Sequence, residues 1–307
     1  MSSQTNKQPT LKKISKGLTV GSVITGSTFF HGPPVLALGL TKLFKKSKKV
    51  DETNIKITNS WLTVNNWLID HVLPNTKWDI TIDEGLDLNL QGHYLMTCNH
   101  QSWVDTTVNQ YFGLTRMPLT RFFTKWELIF IPFVGQAFKI LGFPMMKRHS
   151  KEQIAKNPEL KYRDMEEARK SCEQLLSQPF TLLNYLEGTR FTPEKHAQQQ
   201  SPYQNLLKPK AGGLALALNI LGDQVDALVD MTIVYPNGAP GYGEFWLGEV
   251  PRIAVDLRKI EIPTWVHGGN YEDDAEFREK FQHWVDELWT EKDQLITRMK
   301  AKYSVTE

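Results

Sequence analysis

His93-Tyr94-Leu95-Met96-Thr97-Cys98-Asn99-His100-Gln101-Ser102-Trp103-Val104-Asp105 holds two kinds of local structure in thirteen residues. Its first six residues form a short apolar run bounded by Gly92, the pattern of a buried strand. Ser102 is a helix N-cap residue, with Trp103, Val104 and Asp105 in the first turn behind it. His100 therefore falls in the strand-to-helix turn, where it can fold back until one ring nitrogen meets Asp105. A carboxylate in that position fixes the imidazole tautomer, stabilises the imidazolium and leaves the other nitrogen to accept a proton. The same Ser-x-x-Asp spacing is also that of a capping box, in which Asp105 caps and His100 is an ordinary loop histidine. For Ser102 and Asp105 the two roles are compatible.

Downstream, Phe180-Thr181-Leu182-Leu183-Asn184-Tyr185-Leu186 reads as a second buried strand, ending in Glu187-Gly188-Thr189-Arg190. In α/β sheets ligands bind outside the carboxyl ends of the strands, where the His100 turn also sits. Arg190 offers a planar fork of donors suited to phosphate, Gly188 lets the backbone approach closely, and Glu187 can brace Arg190 or the turn. The plainer alternative is a tight turn with a surface salt bridge. Further strands are expected near 228–235 and 252–260, and a helix over 161–177 with Tyr162, Met165, Cys172, Leu175 and Leu176 broadly on one face. The chain ends in a long helix whose stripe is Phe277, Phe281, Trp284, Leu288, Trp289, Leu295 and Met299. Strands alternating with helices imply an α/β layered domain built on a largely parallel sheet. Residues 192–210, rich in Pro, Gln and Lys, are the most loop-like part of the body.

In these blocks the sequence resembles the glycerophospholipid acyltransferases of the lysophosphatidic acid acyltransferase type. That family carries an Asn-His-x-Ser-x-x-Asp block and a Glu-Gly-Thr-Arg block in this order. Between them, residues 125–135, beginning Lys125-Trp126-Glu127-Leu128 and containing Pro132 and Gly135, are similar to its Lys-x-Glu-Leu…Pro…Gly stretch. Residues 142–148 resemble its Gly-x-x-Phe-Ile-x-Arg block, with Met145-Met146 in place of Phe-Ile and Lys147 before Arg148. The exchange keeps apolar volume, adds a positive charge, and gives adaptable packing material against an acyl chain. Phe191-Thr192-Pro193-Glu194-Lys195, the segment Leu206-Leu207-Lys208-Pro209-Lys210-Ala211-Gly212-Gly213, and Asp230-Met231-Thr232-Ile233-Val234-Tyr235-Pro236 are similar to a longer branch, that of lysocardiolipin-type enzymes and their bacterial relatives. The likeness spans residues 55–300.

With 307 residues the chain can bury a large core plus an appendage, and a net charge of +2 gives no footprint for bulk nucleic-acid binding. Cys98 and Cys172 have neither zinc spacing nor a disulfide framework, which suits a reducing compartment. Of the eight histidines only His100 combines a strand end with a nearby carboxylate, and no cluster suggests a metal. No nucleophile elbow surrounds Ser102. Residues 17–41 carry no ionised side chain, while Lys12, Lys13 and Lys16 precede them and Lys42, Lys45, Lys46, Lys48 and Lys49 follow. That length suffices to span a bilayer. Phe29-Phe30-His31-Gly32-Pro33-Pro34 is a poor helix interior, however, and lysines on both flanks prefer the cytoplasmic surface. The reading therefore favours a bent helical pair dipping into one leaflet over a single kinked span. Three regions result: a disordered basic N-terminus over 1–16, a membrane anchor over 17–49 and an acyltransferase-like domain over 50–307. Past the anchor, Trp61, Val64, Trp67, Leu68 and Val72 recur at helical spacing, a stripe that can lie against lipid or the main core, with the core as the default.

The resemblance implies a membrane enzyme of the cytoplasmic face, the inner membrane if bacterial, that moves an acyl group from acyl-CoA or acyl carrier protein to 1-acyl-sn-glycerol 3-phosphate, forming phosphatidic acid. Lysocardiolipin or lysophosphatidylglycerol is the alternative acceptor, and a non-catalytic lipid-binding protein the alternative of another class. His100 and Asp105 are then catalytic. Arg190, Gly188, Glu187, Thr189, Arg148 and Lys147 bind the acceptor phosphate, and Lys125, Met145 and Met146 face the acyl donor. No cofactor or metal beyond the thioester donor is implied, and the partners are membrane lipids and the two substrates.

Overall fold

In a computed structural model, strand β2 (His93–Cys98) sends alternate side chains into two apolar cores, as the two-residue period of a strand requires. The structure describes residues 11–304 except 43, 45, 46, 147–151, 153–155 and 158. Tyr94, Met96 and Cys98 enter one core and Leu95 the other. Strands β6 (Phe180–Tyr185) and β7 (Ala227–Val234) flank β2, both parallel to it, and every residue of β7 is buried. Such continuous burial requires a strand covered on both faces.

Six strands form the main sheet in the order β1-β8-β7-β2-β6-β3, with β1 at Lys77–Ile82, β3 at Thr120–Phe122 and β8 at Arg252–Ile260. β3 lies parallel to β6, whereas β8 runs antiparallel to β7 and β1 follows β8. The expected largely parallel sheet therefore holds, with a reversed pair at one edge. β1 and β3 have no counterpart in the sequence reading. β1, with Lys77, Asp79 and Thr81 along it, is a mostly exposed edge strand without an apolar run. A second, two-stranded sheet joins β4 (Thr124–Lys125) to β5 (Met145–Met146).

On one face of the sheet lie α2 (Lys48–Val72), contributing Leu68, Ile69 and Val72, and α3 (Val104–Gly113), contributing Val104, Val108 and Phe112. The opposite face is covered by three helices. They are α5 (Glu159–Leu175), α7 (Gly212–Leu221) and the long α9 (Ala275–Ser304). The short α4 (Val134–Ile140), α6 (Pro193–Gln199) and α8 (Tyr242–Leu247) complete the helices used below. Along α9 the fully buried positions are Phe281, Val285, Trp289, Lys292 and Ile296, steps of three and four that keep one stripe on the sheet. The expected stripe was close, but its centre holds a lysine. Lys292 Nζ lies 2.8 Å from Asp230 Oδ1 and 2.7 Å from the Met231 carbonyl, and Arg258 Nη2 lies 2.8 Å from Asp230 Oδ2. Burial would push the Asp230 carboxyl up, yet the Lys292 ammonium and the Arg258 guanidinium hold it below its ordinary value.

The N-terminal helix departs from expectation. α1 (Leu11–Thr41) runs unbroken through Pro33 and Pro34. Two intrahelical hydrogen bonds are lost there, and packing replaces them: His31 Nε2 meets Ser60 Oγ at 3.2 Å, Val35 is fully buried, and Gly32 lies against the Phe133 ring. The bend of the helical pair falls instead between α1 and α2, and the second helix is the polar α2. Residues 11–16, read as disordered, are the first turns of α1, and residues 1–10 lie outside the described residues. α1 is long and apolar enough to cross a membrane. Of the stripe expected on α2, Leu68 and Val72 are buried as anticipated, whereas Trp67 is exposed and packs its ring, tilted by 33°, against His71.

Candidate active site

The carboxyl ends of β2 and β6 lie side by side, register pairing Cys98 with Tyr185, so the turns that leave them share one space. In the first turn His100 Nδ1 lies 2.9 Å from Asp105 Oδ2. The same oxygen accepts the backbone N–H groups of Gln101 at 2.6 Å and Ser102 at 2.9 Å. The capping arm and the imidazole contact thus coexist on one carboxylate oxygen. Tyr235, at the end of β7, donates its hydroxyl to the other oxygen, Asp105 Oδ1, at 2.7 Å. Asp105 is fully buried, and every one of these partners is a donor. With its carboxylate beside Nδ1, His100 carries its ring proton there, and Nε2 keeps a lone pair with no hydrogen-bond partner among the described residues. The ring is stacked on Tyr185, centroids 4.1 Å apart, which fixes its plane.

Helix α3 begins at Val104, one residue later than expected, yet Ser102 still caps it: Ser102 Oγ accepts the Val104 N–H at 3.0 Å. The hydroxyl also donates to the Pro240 carbonyl at 2.6 Å, so it is committed on both sides. Burial pushes the Cys98 thiol up, away from the thiolate form. Neither side chain is poised as a nucleophile. Asn99, with its side chain paired at 2.9 Å in both directions to the backbone of Ile233, fastens the end of β2 to β7.

The second turn meets the first through Glu187. This fully buried carboxyl accepts the His100 N–H at 2.7 Å and the Leu207 N–H at 2.9 Å. It braces the two turns, as one of the two expected roles had it, but it does not pair with Arg190. Burial pushes it up to about 8, against the pull of the two backbone amides. Gly188 adopts φ +66°, a conformation in which a Cβ would be strained. Its N–H donates to the Tyr185 carbonyl at 2.8 Å, and the Phe191 N–H to the His100 carbonyl at 2.7 Å. Both of these backbone donors are thereby taken up in the turn.

Arg190 stacks its guanidinium on Trp103, 4.3 Å from the ring centroid, and makes no ion pair among the described residues. Trp103 is 60% exposed, so this platform stands at the surface of the protein. The Thr189 hydroxyl accepts from Lys195 Nζ at 2.8 Å, and the Arg190 carbonyl accepts from the same ammonium at 3.0 Å. Lys210 lies against Gly188, its Nζ 3.3 Å from where a Cβ would sit. β3 runs parallel to β6, so the chain leaving it brings Lys125 to the same end of the sheet. Lys125 is exposed and lies opposite Met146 in the β4–β5 pair, and Met145 is buried. Among the described residues no hydrogen bond, ion pair or ring contact joins Lys125 or Met145 to His100, Asp105 or Arg190. The Met146 side chain, Lys147 and Arg148 lie outside the described residues. Trp103, Tyr185, Lys195, Lys210 and Tyr235 were named in the sequence without a role. For Tyr185, Tyr235 and Trp103 the one signal was position, at or just past a strand end, whereas Lys195 and Lys210 fall in the stretch read as loop.

A family model described as Acyltransferase matches residues 79–236. Among curated proteins, the chain is similar to the 2-acyl-1-lysophosphatidylinositol acyltransferase of Saccharomyces cerevisiae, at 25% identity over 68% of this chain and 62% of the relative. It is 28% identical to the 1-acyl-sn-glycerol-3-phosphate acyltransferase 2 of Brassica oleracea, over 57% and 45% of the two chains. The chain thus spans less than two thirds of the length of these relatives. Its fold is similar to that in the crystal structure of the 1-acyl-sn-glycerophosphate (LPA) acyltransferase PlsC from Thermotoga maritima. The TM-score is 0.51 at 16% identity, over 92% of this chain and 97% of that one.

Proposed function

Since the chain belongs to the Acyltransferase family, we propose that it moves a fatty acyl group from a thioester donor to the free hydroxyl of a glycerol lysophospholipid, 1-acyl-sn-glycerol 3-phosphate first. The observation that carries this reading is the His100–Asp105 pair, with Nε2 left open, and on the adjoining turn Arg190, which has no carboxylate partner among the described residues. His100 Nε2 takes the acceptor's hydroxyl proton as the oxygen attacks the acyl carbon. The C–O bond forms, the C–S bond breaks, and the imidazolium returns the proton to the departing thiolate. Asp105 stabilises the imidazolium, and Arg190 binds the phosphate and thereby positions the hydroxyl. Thr189, Gly188 and Glu187 shape that turn, with Arg148 and Lys147 as further phosphate ligands. Transfer is direct: Ser102 is held on both sides and Cys98 is a buried thiol. Lys125, Met145 and Met146 line the donor side. The donor is acyl-CoA or acyl carrier protein, no cofactor takes part, and the enzyme works on the cytoplasmic face of a membrane. Acylation of another lysophospholipid is the second reading, supported by the likeness to the yeast lysophosphatidylinositol enzyme.

Thiol release from acyl-CoA by purified protein, with and without 1-acyl-sn-glycerol 3-phosphate, tests the reading. Acceptor-dependent release that disappears in a folded His100→Ala variant is expected. Undiminished turnover by that variant would overturn the mechanism. Lipid binding without any thiol release would mark a binding protein instead.

A further inference from the structure

Three cations meet at the turn after β6, and none has a carboxylate partner among the described residues. Arg190 belongs to the turn itself. Lys195 comes from the first turn of α6, held by the Thr189 hydroxyl and the Arg190 carbonyl. Lys210 comes from the segment before α7 and lies along Gly188. Two backbone links set its approach: the Lys210 N–H donates to the Leu186 carbonyl at 2.7 Å, and the Leu207 N–H donates to Glu187. Gly188 leaves room for it, since a Cβ would stand 3.2 Å from Lys210 Cδ. A lone guanidinium suffices to clamp one anionic phosphodiester. Two further ammonium groups against the same turn add positive charge for a second negative charge, and each gains more from a dianion than from a monoanion.

We propose that Lys195 and Lys210 make this an acceptor site for a terminal phosphomonoester, and that Lys210 is the residue that sets the preference over phosphodiester lysolipids. The inference rests on the reading of Arg190 as the acceptor's phosphate anchor and adds to it the charge state that the site selects. Lys210 lies against Gly188, and Arg190 of the same turn is held on the Trp103 platform. Lys195 holds the turn and contributes charge together, so its loss mixes two effects. The Lys210 side chain makes no hydrogen bond or ion pair among the described residues and is the cleaner probe.

The test compares wild type, Lys210→Met and Arg190→Ala. Calorimetric binding of glycerol 3-phosphate and of glycerophosphoglycerol is measured at about pH 8, well above the second phosphate ionisation near 6. Initial rates on the two corresponding 1-acyl lysolipids are measured in the same mixed micelles. Wild type is expected to favour the monoester in both measurements. Lys210→Met should lose about tenfold on the monoester, the scale of one charge-assisted contact, with less than about threefold loss on the diester. Arg190→Ala should weaken both ligands. Equal loss on both ligands, or an unchanged ratio in Lys210→Met, overturns the inference even where wild type is an active acyltransferase. A wild type that transfers no acyl group to either lysolipid defeats the functional reading instead, and the binding ratio then still decides the role of Lys210.

Discussion

Asp105 is a buried carboxylate surrounded by donors: two backbone amides, the Tyr235 hydroxyl and the His100 ring. Full satisfaction is what makes a buried anion tolerable, and it also dictates which atom can stand there. An asparagine presents one oxygen and one NH2. Placed with its oxygen toward the amides, it turns the NH2 on the Tyr235 hydroxyl and offers no charge to an imidazolium. Placed the other way, it sets a donor against three donors and favours the wrong imidazole tautomer. Asp105→Asn is therefore expected to lower kcat by on the order of 10⁴-fold. Tyr235→Phe, which removes one donor and leaves the His100 contact, should cost far less. Rates on protein of verified fold check both, and a kcat within tenfold of wild type for Asp105→Asn would remove Asp105 from the mechanism. The His100–Asp105 pair was legible because a turn of five residues brings it together. Tyr235 was not, because its hydroxyl arrives from a strand 130 residues away in sequence. Lys195 and Lys210 stood in plain view as polar loop residues, and only the way their segments fold back on the turn after β6 shows what they face.

Glu187 joins three elements: the turn between β2 and α3, the end of β6, and the segment that leads into α7. Such a joint fixes the spacing between the imidazole and the Arg190 turn, and its protonation therefore bears on stability. Burial raises its folded value to about 8 from the ordinary 4.5, so the folded state holds the proton more tightly than the unfolded chain does. The stabilisation linked to Glu187 is accordingly full below about 4.5 and is lost as the pH rises through about 8. Glu187→Gln cannot titrate, and it sets an amide NH2 against one of the two backbone donors. The variant is expected to be less stable throughout, with a flatter pH dependence than wild type between those limits. Urea midpoints across that range measure it, and parallel curves for the two proteins would contradict the assignment. At this scale the interior strands β2, β6, β7 and β8 could be read from their apolar runs. The edge strands could not, since one is mostly exposed and the other only three residues long. Lys292 escaped notice because helical periodicity counts apolar residues, and a lysine neutralised by Asp230 occupies a place that the pattern reserves for one.

α1 touches the body at both of its ends, and this bears on how the molecule meets a membrane. Near its start, Lys13 pairs with Glu249, Lys16 Nζ donates to the Val72 carbonyl at 2.9 Å, and Gly17 lies against Leu247. Near its end, Gly39 abuts Ile140 and Lys42 Nζ donates to the Ile140 carbonyl at 3.3 Å. A helix of 31 residues is about 46 Å long, so these anchor points are separated by more than a hydrocarbon core. Were α1 to cross the bilayer, one end would have to leave the body and abandon its contacts. Lying flat, it keeps both and still turns Leu18, Phe29, Phe30 and Leu40 outward, with Phe130 and Ile131 exposed on the neighbouring segment. Phe29 packs edge-on to Phe133 at 5.2 Å, which ties that outward face to the segment before α4. The expected arrangement is a helix seated in one leaflet, with the lysines that flank it at the headgroups. Tags placed before Lys12 and inserted after Lys49 should then both be cleaved by protease added to sealed inside-out vesicles. Deletion of residues 1–49 should release the protein from those vesicles or leave it poorly soluble, because it uncovers Val72, Leu247 and Ile140 together. Selective protection of the tag before Lys12 would establish a single span and require that the contacts of Lys13 and Lys16 be broken in the membrane. The His100–Asp105 pair, which α1 does not touch, would stand either way.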